Sequence, residues 1–177
     1  MIVCLTVFDT AWAAPKSGLG IHIGYVWSAD QGTTKVTNTP VTTKGKGAGY
    51  GLDYQMAVGS ATSMTVFLDS SGETISGDFI PPDTRGRHRM IGLELATWWN
   101  WGYLGAYYGQ AQEAIYPPSN SGLPNSTGIG QGYGLVIGED KGTGFYGTLR
   151  LETGHIALDN ADMNYKTVRL STGYRWL

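Results

Sequence analysis

The stretch that decides the fold is Thr167–Leu177, TVRLSTGYRWL, at the end of the chain. Its side chains alternate as in a β-strand, where successive residues point to opposite faces. One face would carry Val168, Leu170, Thr172, Tyr174 and Trp176, and the other Arg169, Ser171, Gly173 and Arg175. Soluble domains usually end in a loosely held polar tail. A last strand with aromatics on one face and arginines on the other indicates that the two faces meet different surroundings.

The composition favours strands that face lipid on one side. Charged residues make up 15% of the 177 residues, whereas about a quarter is usual in a soluble domain. The chain holds 27 Gly, 11 Tyr and 6 Trp, and its mean hydropathy is -0.16. No window offers the roughly 18 apolar residues that a transmembrane helix needs. With 12 basic against 14 acidic residues, bulk charge gives no reason to expect nucleic acid as a partner.

Residues 1–13 are interpreted as part of a secretory signal peptide. MIVCLTVF is a short apolar core, and Ala11-x-Ala13 is a small-x-small cleavage pattern. The core lacks a preceding basic region and is interrupted by Asp9, so the signal is partial. The alternative is a first strand of the mature protein. Cleavage after residue 13 would remove Cys4, the only cysteine, and leave residues 14–177 as the barrel domain.

Eight alternating segments follow, separated by turn-forming residues, and their connections run long, short, long, short, long, short, long. The long polar stretches are expected at Ser28 to about Lys46, at Ser70 to about Arg87, at Ala111 to about Gly128, and around IALDNADMN. Short turns on one side and longer loops on the other are typical of outer-membrane barrels. We therefore predict an all-β fold, an eight-stranded antiparallel up-and-down transmembrane β-barrel. The terminal strand would close it by pairing with the first, because an open edge cannot stand in lipid.

The tryptophans agree with this topology. Trp27 would end the first strand, Trp98, Trp99 and Trp101 would flank an inner turn, and Trp176 would end the last strand near Tyr174. Amphipathic rings concentrate at membrane–water boundaries. We expect these six residues to form an aromatic girdle. The competing fold is a soluble lipocalin-like barrel, which would turn its apolar face inward.

The ending GYRWL resembles the carboxy-terminal strand of bacterial outer-membrane β-barrels, although Leu177 follows the aromatic here. Over residues 14–177 the pattern resembles the small OmpA/OmpX-type eight-stranded barrels. The resemblance implies an outer-membrane location in Gram-negative bacteria, both chain ends in the periplasm, a monomer, and recognition of the last strand by the barrel assembly machinery. It specifies architecture rather than activity.

Seven ionisable residues are expected to point into the lumen: His22, Asp53, Glu94, Arg150, Glu152, Arg169 and Arg175. An eight-stranded interior is just wide enough for side chains to fill, and buried charges persist when paired. Strand four would lie opposite strand eight, so Glu94 is expected to reach Arg169 or Arg175, with Glu152 and Arg169 on adjacent strands. This cluster predicts a structural plug. The alternative is a narrow channel for ions or small solutes.

A basic rim is expected near the outer boundary. RGRHR places Arg85, Arg87 and Arg89 at the top of strand four, and Lys166 lies at a similar height. Arginine pairs bidentately with phosphate, so lipopolysaccharide and other outer-membrane lipids are the expected partners. The alternative is an ordinary rim of snorkelling side chains.

His155, near Asp159, Asn160 and Asp162, is a weak catalytic candidate. Outer-membrane lipid A deacylases, which are also small barrels, use a serine two positions after their histidine, and here that position is Ala157. A lipid A-modifying enzyme is therefore the alternative function. The run DNAD lacks the spacing of a calcium loop, and neither a metal nor a cofactor is expected. The preferred interpretation is a non-enzymatic outer-membrane barrel with a charge-plugged lumen and interacting loops.

Overall fold

The computed structural model describes residues 15–100, 102–140 and 144–176. The proposed signal segment, Trp101 and Leu177 lie outside these residues. Eight antiparallel strands form one closed barrel in chain order: β1 Gly18–Thr34, β2 Pro40–Ala57, β3 Thr62–Gly77, β4 Arg85–Trp99, β5 Gly102–Tyr116, β6 Ser126–Asp140, β7 Phe145–Leu158 and β8 Ala161–Trp176. The predicted eight-stranded up-and-down barrel is confirmed.

Pairing of the last strand with the first closes the barrel. In this register Leu19 lies opposite Trp176 and Thr34 opposite Ala161. The beginning of β1 and the end of β8 thus meet at one end of the barrel, called here the terminal end. The opposite end, which carries the connections β1–β2, β3–β4, β5–β6 and β7–β8, is the loop end. Among the described residues, no helix is long and apolar enough to cross a membrane.

Large apolar side chains cover the outside of the barrel on the half nearest the terminal end. Ile23 is 67% exposed, Tyr50 63%, and Leu170 55%. We call this band the apolar belt; it contains Leu19, Ile21, Ile23, Tyr25, Trp27, Tyr50, Leu52, Tyr54, Val66, Leu68, Ile91, Leu93, Leu95, Leu104, Tyr108, Tyr133, Leu135, Ile137, Phe145, Leu151, Val168, Leu170 and Trp176. An apolar exterior around a polar interior is the arrangement of a barrel in lipid and the reverse of a lipocalin.

The tryptophan prediction is wrong at one described position. Trp98 is 3% exposed and points into the lumen, where it stacks on Tyr103 at 4.6 Å and donates a hydrogen bond to Ser63 Oγ at 2.8 Å. Strand alternation is the reason, because Trp98 shares its inward face with Glu94, whereas its neighbour Trp99 is on the outward face. On the outer surface at this end of β8, Tyr174 packs against Phe145 and Trp176.

The long polar stretches are mostly strand, which corrects the expected loop lengths. β1 and β2 leave residues 35–39 between them, β3 and β4 leave 78–84, β5 and β6 leave 117–125, and β7 and β8 leave 159–160. A short 3-10 helix, Ser119–Ser121, lies in the third connection. The outward faces become polar beyond the apolar belt while the strands continue. Hydropathy therefore marked the edge of the lipid-facing surface rather than the end of each strand.

The last connection is a tight turn held by Asp159. Its carboxylate accepts hydrogen bonds from the backbone N–H of Thr127 at 2.9 Å and from the Thr127 hydroxyl at 3.1 Å. The backbone hydrogen bond, followed by the hydroxyl, lowers the pKa of Asp159 below its ordinary value. Among the described residues, no cluster of His, Cys, Asp or Glu is arranged to hold a metal ion.

Amide hydrogen exchange tests whether the polar stretches are strands. We expect amides of Ser70–Gly77 to exchange about a hundredfold more slowly than those of residues 117–125, because strand amides donate to neighbouring strands. Amides of Val66–Asp69, which lie on the same strand at the height of the apolar belt, serve as the internal reference. Exchange of Ser70–Gly77 at the rate of the 117–125 connection would contradict the long strands.

Candidate functional site

A network of buried charges fills the middle of the lumen, and Asp69 is its centre. Asp69 Oδ2 lies 2.7 Å from Arg150 Nη1 and 3.6 Å from Arg169 Nη1, and its other oxygen lies 2.8 Å from His22 Nε2. The second terminal nitrogen of Arg150 lies 2.9 Å from Glu94 Oε2. All five side chains are almost fully buried. Glu94 therefore pairs with Arg150, and its predicted pairing with Arg169 or Arg175 is wrong.

The error in pairing has a geometric cause. Arg150 extends its guanidinium over the Phe67 ring, at 4.3 Å from the centroid, which brings it between β3 and β4. Long arginine side chains can cross so narrow a lumen, so the strand of origin does not determine the partner. Arg175 instead reaches two carboxylates nearer the terminal end, Asp53 at 2.9 Å and Asp140 at 3.1 Å.

Tyr146 joins the two parts of this network. Its hydroxyl donates a short hydrogen bond to Asp53 and lies 3.2 Å from His22 Nδ1. The guanidinium of Arg175 stacks over the Tyr146 ring at 4.5 Å. Hydrogen bonds and ring contacts of this kind offset part of the cost of burying charges away from water.

Glu152 belongs to a separate group closer to the loop end. Its Oε1 lies 3.2 Å from His88 Nε2, and the other ring nitrogen of His88 lies 3.8 Å from Glu113. Glu152 and Arg169 are on adjacent strands, as expected, but the ion pair of Glu152 is with His88.

All seven predicted lumen residues thus lie inside the barrel, and the sequence interpretation missed several partners. Asp69 and His88 follow the same alternation that places Phe67 and Glu94 inward. Asp69 ends the third predicted segment and His88 begins the fourth, on either side of the polar stretch from Ser70 to about Arg87, and their facing was not considered. Continuing the alternation past the apolar residues is the signal that would have found them.

A second candidate site is a patch of cations on the outside of the barrel, just beyond the apolar belt toward the loop end. It comprises exposed, outward-pointing basic residues of β2, β4 and β8, and we call it the basic patch: Lys44, Lys46, Arg85, Arg87, Arg89 and Lys166. Lys46 and Arg85 are in register with the same β3 residue, Thr74, from either side. Within the described chain, no carboxylate lies at ion-pairing distance from these six side chains.

The basic patch contains a recess of about 450 Å³ between β2, β3 and β4. Lys46, Arg85 and Arg87 line it, together with Tyr116. The space exists because Gly72 has no side chain, and a Cβ added there would meet nothing within 4 Å. The four predicted rim residues all belong to the basic patch. Lys44 and Lys46 were missed because they fell in a stretch assigned to a loop.

His155 lies on the outer surface beyond the apolar belt. Its Nδ1 is 3.2 Å from Asn164 Oδ1, and its register neighbour on β6 is Gln131. On its own strand, the outward neighbours are Thr153 and Ala157. The nearest serine of β8, Ser171, is buried in the lumen. The described surroundings of His155 are those of a surface histidine.

Comparison with solved structures identifies the fold. Ail, the attachment invasion locus protein of Yersinia pestis, superposes with a TM-score of 0.55 at 14% identity over 91% of this chain and 100% of its own. The fold is that of the small eight-stranded outer-membrane β-barrels. A second Ail structure, in complex with the heparin analogue sucrose octasulfate, gives 0.55 at 15% identity over 92% and 100%.

A third similar structure is that of the outer membrane protein OprG from Pseudomonas aeruginosa, with a TM-score of 0.55 at 10% identity over 93% of this chain and 98% of its own. No protein-family model matches the chain, and no curated protein matches it. At these identities the small outer-membrane barrels share the fold with this chain, and the activity must be argued from its own residues.

The lumen network generates a stability prediction. Asp69→Asn should lower the free energy of unfolding by about 3–5 kcal/mol, because it leaves two buried arginines without their shared carboxylate. Glu94→Gln should cost less, since Glu94 pairs with Arg150 alone. Both are measured by urea unfolding in lipid vesicles, followed by tryptophan fluorescence.

The matched control is Asp162→Asn, the same chemical change at an exposed pair. Asp162 lies 3.6 Å from Lys35 with both side chains substantially exposed, so a change below about 1 kcal/mol is expected. Equal unfolding midpoints for Asp69→Asn and Asp162→Asn would show that the lumen charges do not hold the barrel together.

Proposed function

We propose that this chain is a non-enzymatic protein of the bacterial outer membrane whose basic patch binds the phosphate groups of lipopolysaccharide. The observation that carries the proposal is the recess lined by Lys46, Arg85 and Arg87 beside a lipid-facing belt. An anionic headgroup whose acyl chains lie against the apolar belt would bring its phosphates to this height. Arginine and lysine without carboxylate partners are the expected receptors for such groups.

The orientation follows from the same chemistry. Lipopolysaccharide occupies the outer leaflet, so the loop end is extracellular and both chain ends are periplasmic. The last strand, which closes the barrel against β1, is the segment that the barrel assembly machinery would recognise, and the barrel functions as a monomer. The Ail complex with sucrose octasulfate supports the idea that a barrel of this fold can hold a polyanion.

The lumen supports a closed barrel rather than a channel. At the height of Asp69, Glu94 and Arg150 the side chains are at most 6% exposed and pair with one another. Ions crossing this layer would have to break buried pairs, which is costly. The barrel reconstituted in planar bilayers is therefore expected to show no unitary current steps at neutral pH. Regular steps that persist after removal of contaminating porins would contradict the plug.

Binding to lipopolysaccharide is tested with Lys46→Ala/Arg85→Ala/Arg87→Ala. Each cation at an anionic surface contributes about 1 kcal/mol, so the triple variant should bind about a hundredfold more weakly. The measurement is retention of lipopolysaccharide by the protein in nanodiscs, compared with lipid A lacking its phosphates. Dephosphorylated lipid A should bind wild type and variant equally.

The matched control is Gln110→Ala/Gln112→Ala/Gln131→Ala, three outward polar residues of β5 and β6 near the same height. It should retain lipopolysaccharide as wild type does. Unchanged retention by the basic-patch variant, in a barrel that is folded, would refute the proposed site.

A further inference from the structure

An apolar pocket lies inside the loop end of the barrel, and nothing in the proposed function uses it. It measures about 370 Å³ and is enclosed by the β1–β2, β3–β4 and β5–β6 connections and the neighbouring ends of β7 and β8. Val41, Ile80, Ile115, Leu158 and Met163 supply apolar lining. We call it the mouth pocket. Pockets that hold small molecules are concave and mostly apolar, with few polar groups.

The threonine and serine hydroxyls that line the mouth pocket already have hydrogen-bond partners within the protein. Hydroxyls donate to groups outside or at the edge of the pocket, from Thr43 to Asp30 at 2.8 Å, from Thr84 to the Pro81 carbonyl at 2.8 Å, and from Ser126 to Asn160 at 2.7 Å. Thr37 bonds with the hydroxyls of both Thr34 and Thr39. An apolar occupant would therefore leave none of these hydroxyls unsatisfied, which is the usual cost of covering polar groups.

The connections that form the mouth pocket have restricted backbone freedom, so the pocket is partly preorganised in the unliganded protein. Pro81, Pro117 and Pro124 line it, and proline fixes φ, so less backbone freedom is lost on binding. Phe79 lines the same pocket with φ of 63° and with 81% of its surface exposed. A bulky residue in this backbone region is strained, and such strain often marks ligand sites.

Phe79 and Leu123, the latter 51% exposed, also lie far from the apolar belt. They belong to the connections at the loop end, beyond the basic patch, where lipid chains do not cover them. Exposed apolar groups at a pocket rim are typical of a binding site for an apolar partner.

We propose that the mouth pocket binds a small, uncharged, largely apolar molecule, such as a two-ring aromatic or terpene-like alcohol. At about 30 Å³ for each water-sized group, the volume accepts roughly a dozen such groups, which excludes a full acyl-chain lipid. Asp78 lies at the lining, so an anion would be repelled by its carboxylate. A cation would lose its hydration against an apolar lining.

The test is a titration of methyl-labelled protein in nanodiscs with 1-naphthol, followed by NMR. Saturable shifts are expected at the methyls of Ile80, Ile115, Leu158 and Met163, while Ile21 and Leu170 of the apolar belt report simple partitioning into lipid. The anion 1-naphthalenesulfonate, which has the same rings and a charge, should give no saturable shifts at the pocket methyls.

Two variants test whether 1-naphthol binds in the mouth pocket. Ala161→Phe fills the pocket from β8, and Leu123→Asp places a charge at its rim, in a connection outside the strands of the barrel. Each should weaken 1-naphthol binding about tenfold or more. The matched control is Ala157→Phe, the same enlargement on the outward face of β7, which should bind within about twofold of wild type.

Saturable shifts at the pocket methyls that are lost in Leu123→Asp and kept in Ala157→Phe support the ligand site. Shifts confined to Ile21 and Leu170, or shifts that Leu123→Asp leaves unchanged, overturn it. Neither result depends on the basic patch, because the nanodiscs contain no lipopolysaccharide.

Discussion

The pairing of β8 with β1 is the constraint on which the rest of the molecule depends. A strand edge in lipid would leave backbone N–H and C=O groups without partners, at several kcal/mol each. Closure removes both edges and makes every strand residue point either outward or inward. Once the outward positions carry the apolar belt, the remaining residues must share a lumen of fixed width. The position of a charged residue in the inward–outward alternation of its strand therefore determines whether its side chain lies in the lumen or on the outer surface.

The narrow lumen explains why charged residues and glycines occur together. A Cβ added to Gly51 would lie 2.3 Å from Asp69 Oδ1 and 2.4 Å from His22 Nε2, so this glycine leaves room for their ion pair. Gly134 similarly accommodates the ring of Tyr107, at 2.7 Å from such a Cβ. Glycine weakens a strand, yet here it allows long side chains to cross and pair. Strand propensity is therefore lost at these glycines, and the buried charges gain the room they need to pair.

Both proposed binding sites lie on the half of the barrel beyond the apolar belt. Extension of the strands past the lipid-facing surface carries Lys46, Arg85 and Arg87 to the edge of the belt and brings the connections together above the lumen. The outer face there is cationic and open, and the enclosed space is apolar. The same strands therefore carry two proposed sites of different chemistry, one for phosphate groups and one for a neutral molecule. Similar barrels share the fold at 10–15% identity, so these sites rest on this chain's own residues.

The sequence by itself determined the number of strands, their antiparallel order, the closure of the barrel and the inward position of the seven predicted lumen residues. The reason is that the alternation of side chains is a local property, visible within the sequence of each strand. It also located the arginines of β4. The tertiary structure alone decided which charges pair, since long side chains reach across the barrel to strands distant in sequence, as Arg150 does to Asp69 and Glu94. It also decided the strand lengths and the mouth pocket. Polar strand and polar loop have similar compositions, and a cavity exists only where several connections converge.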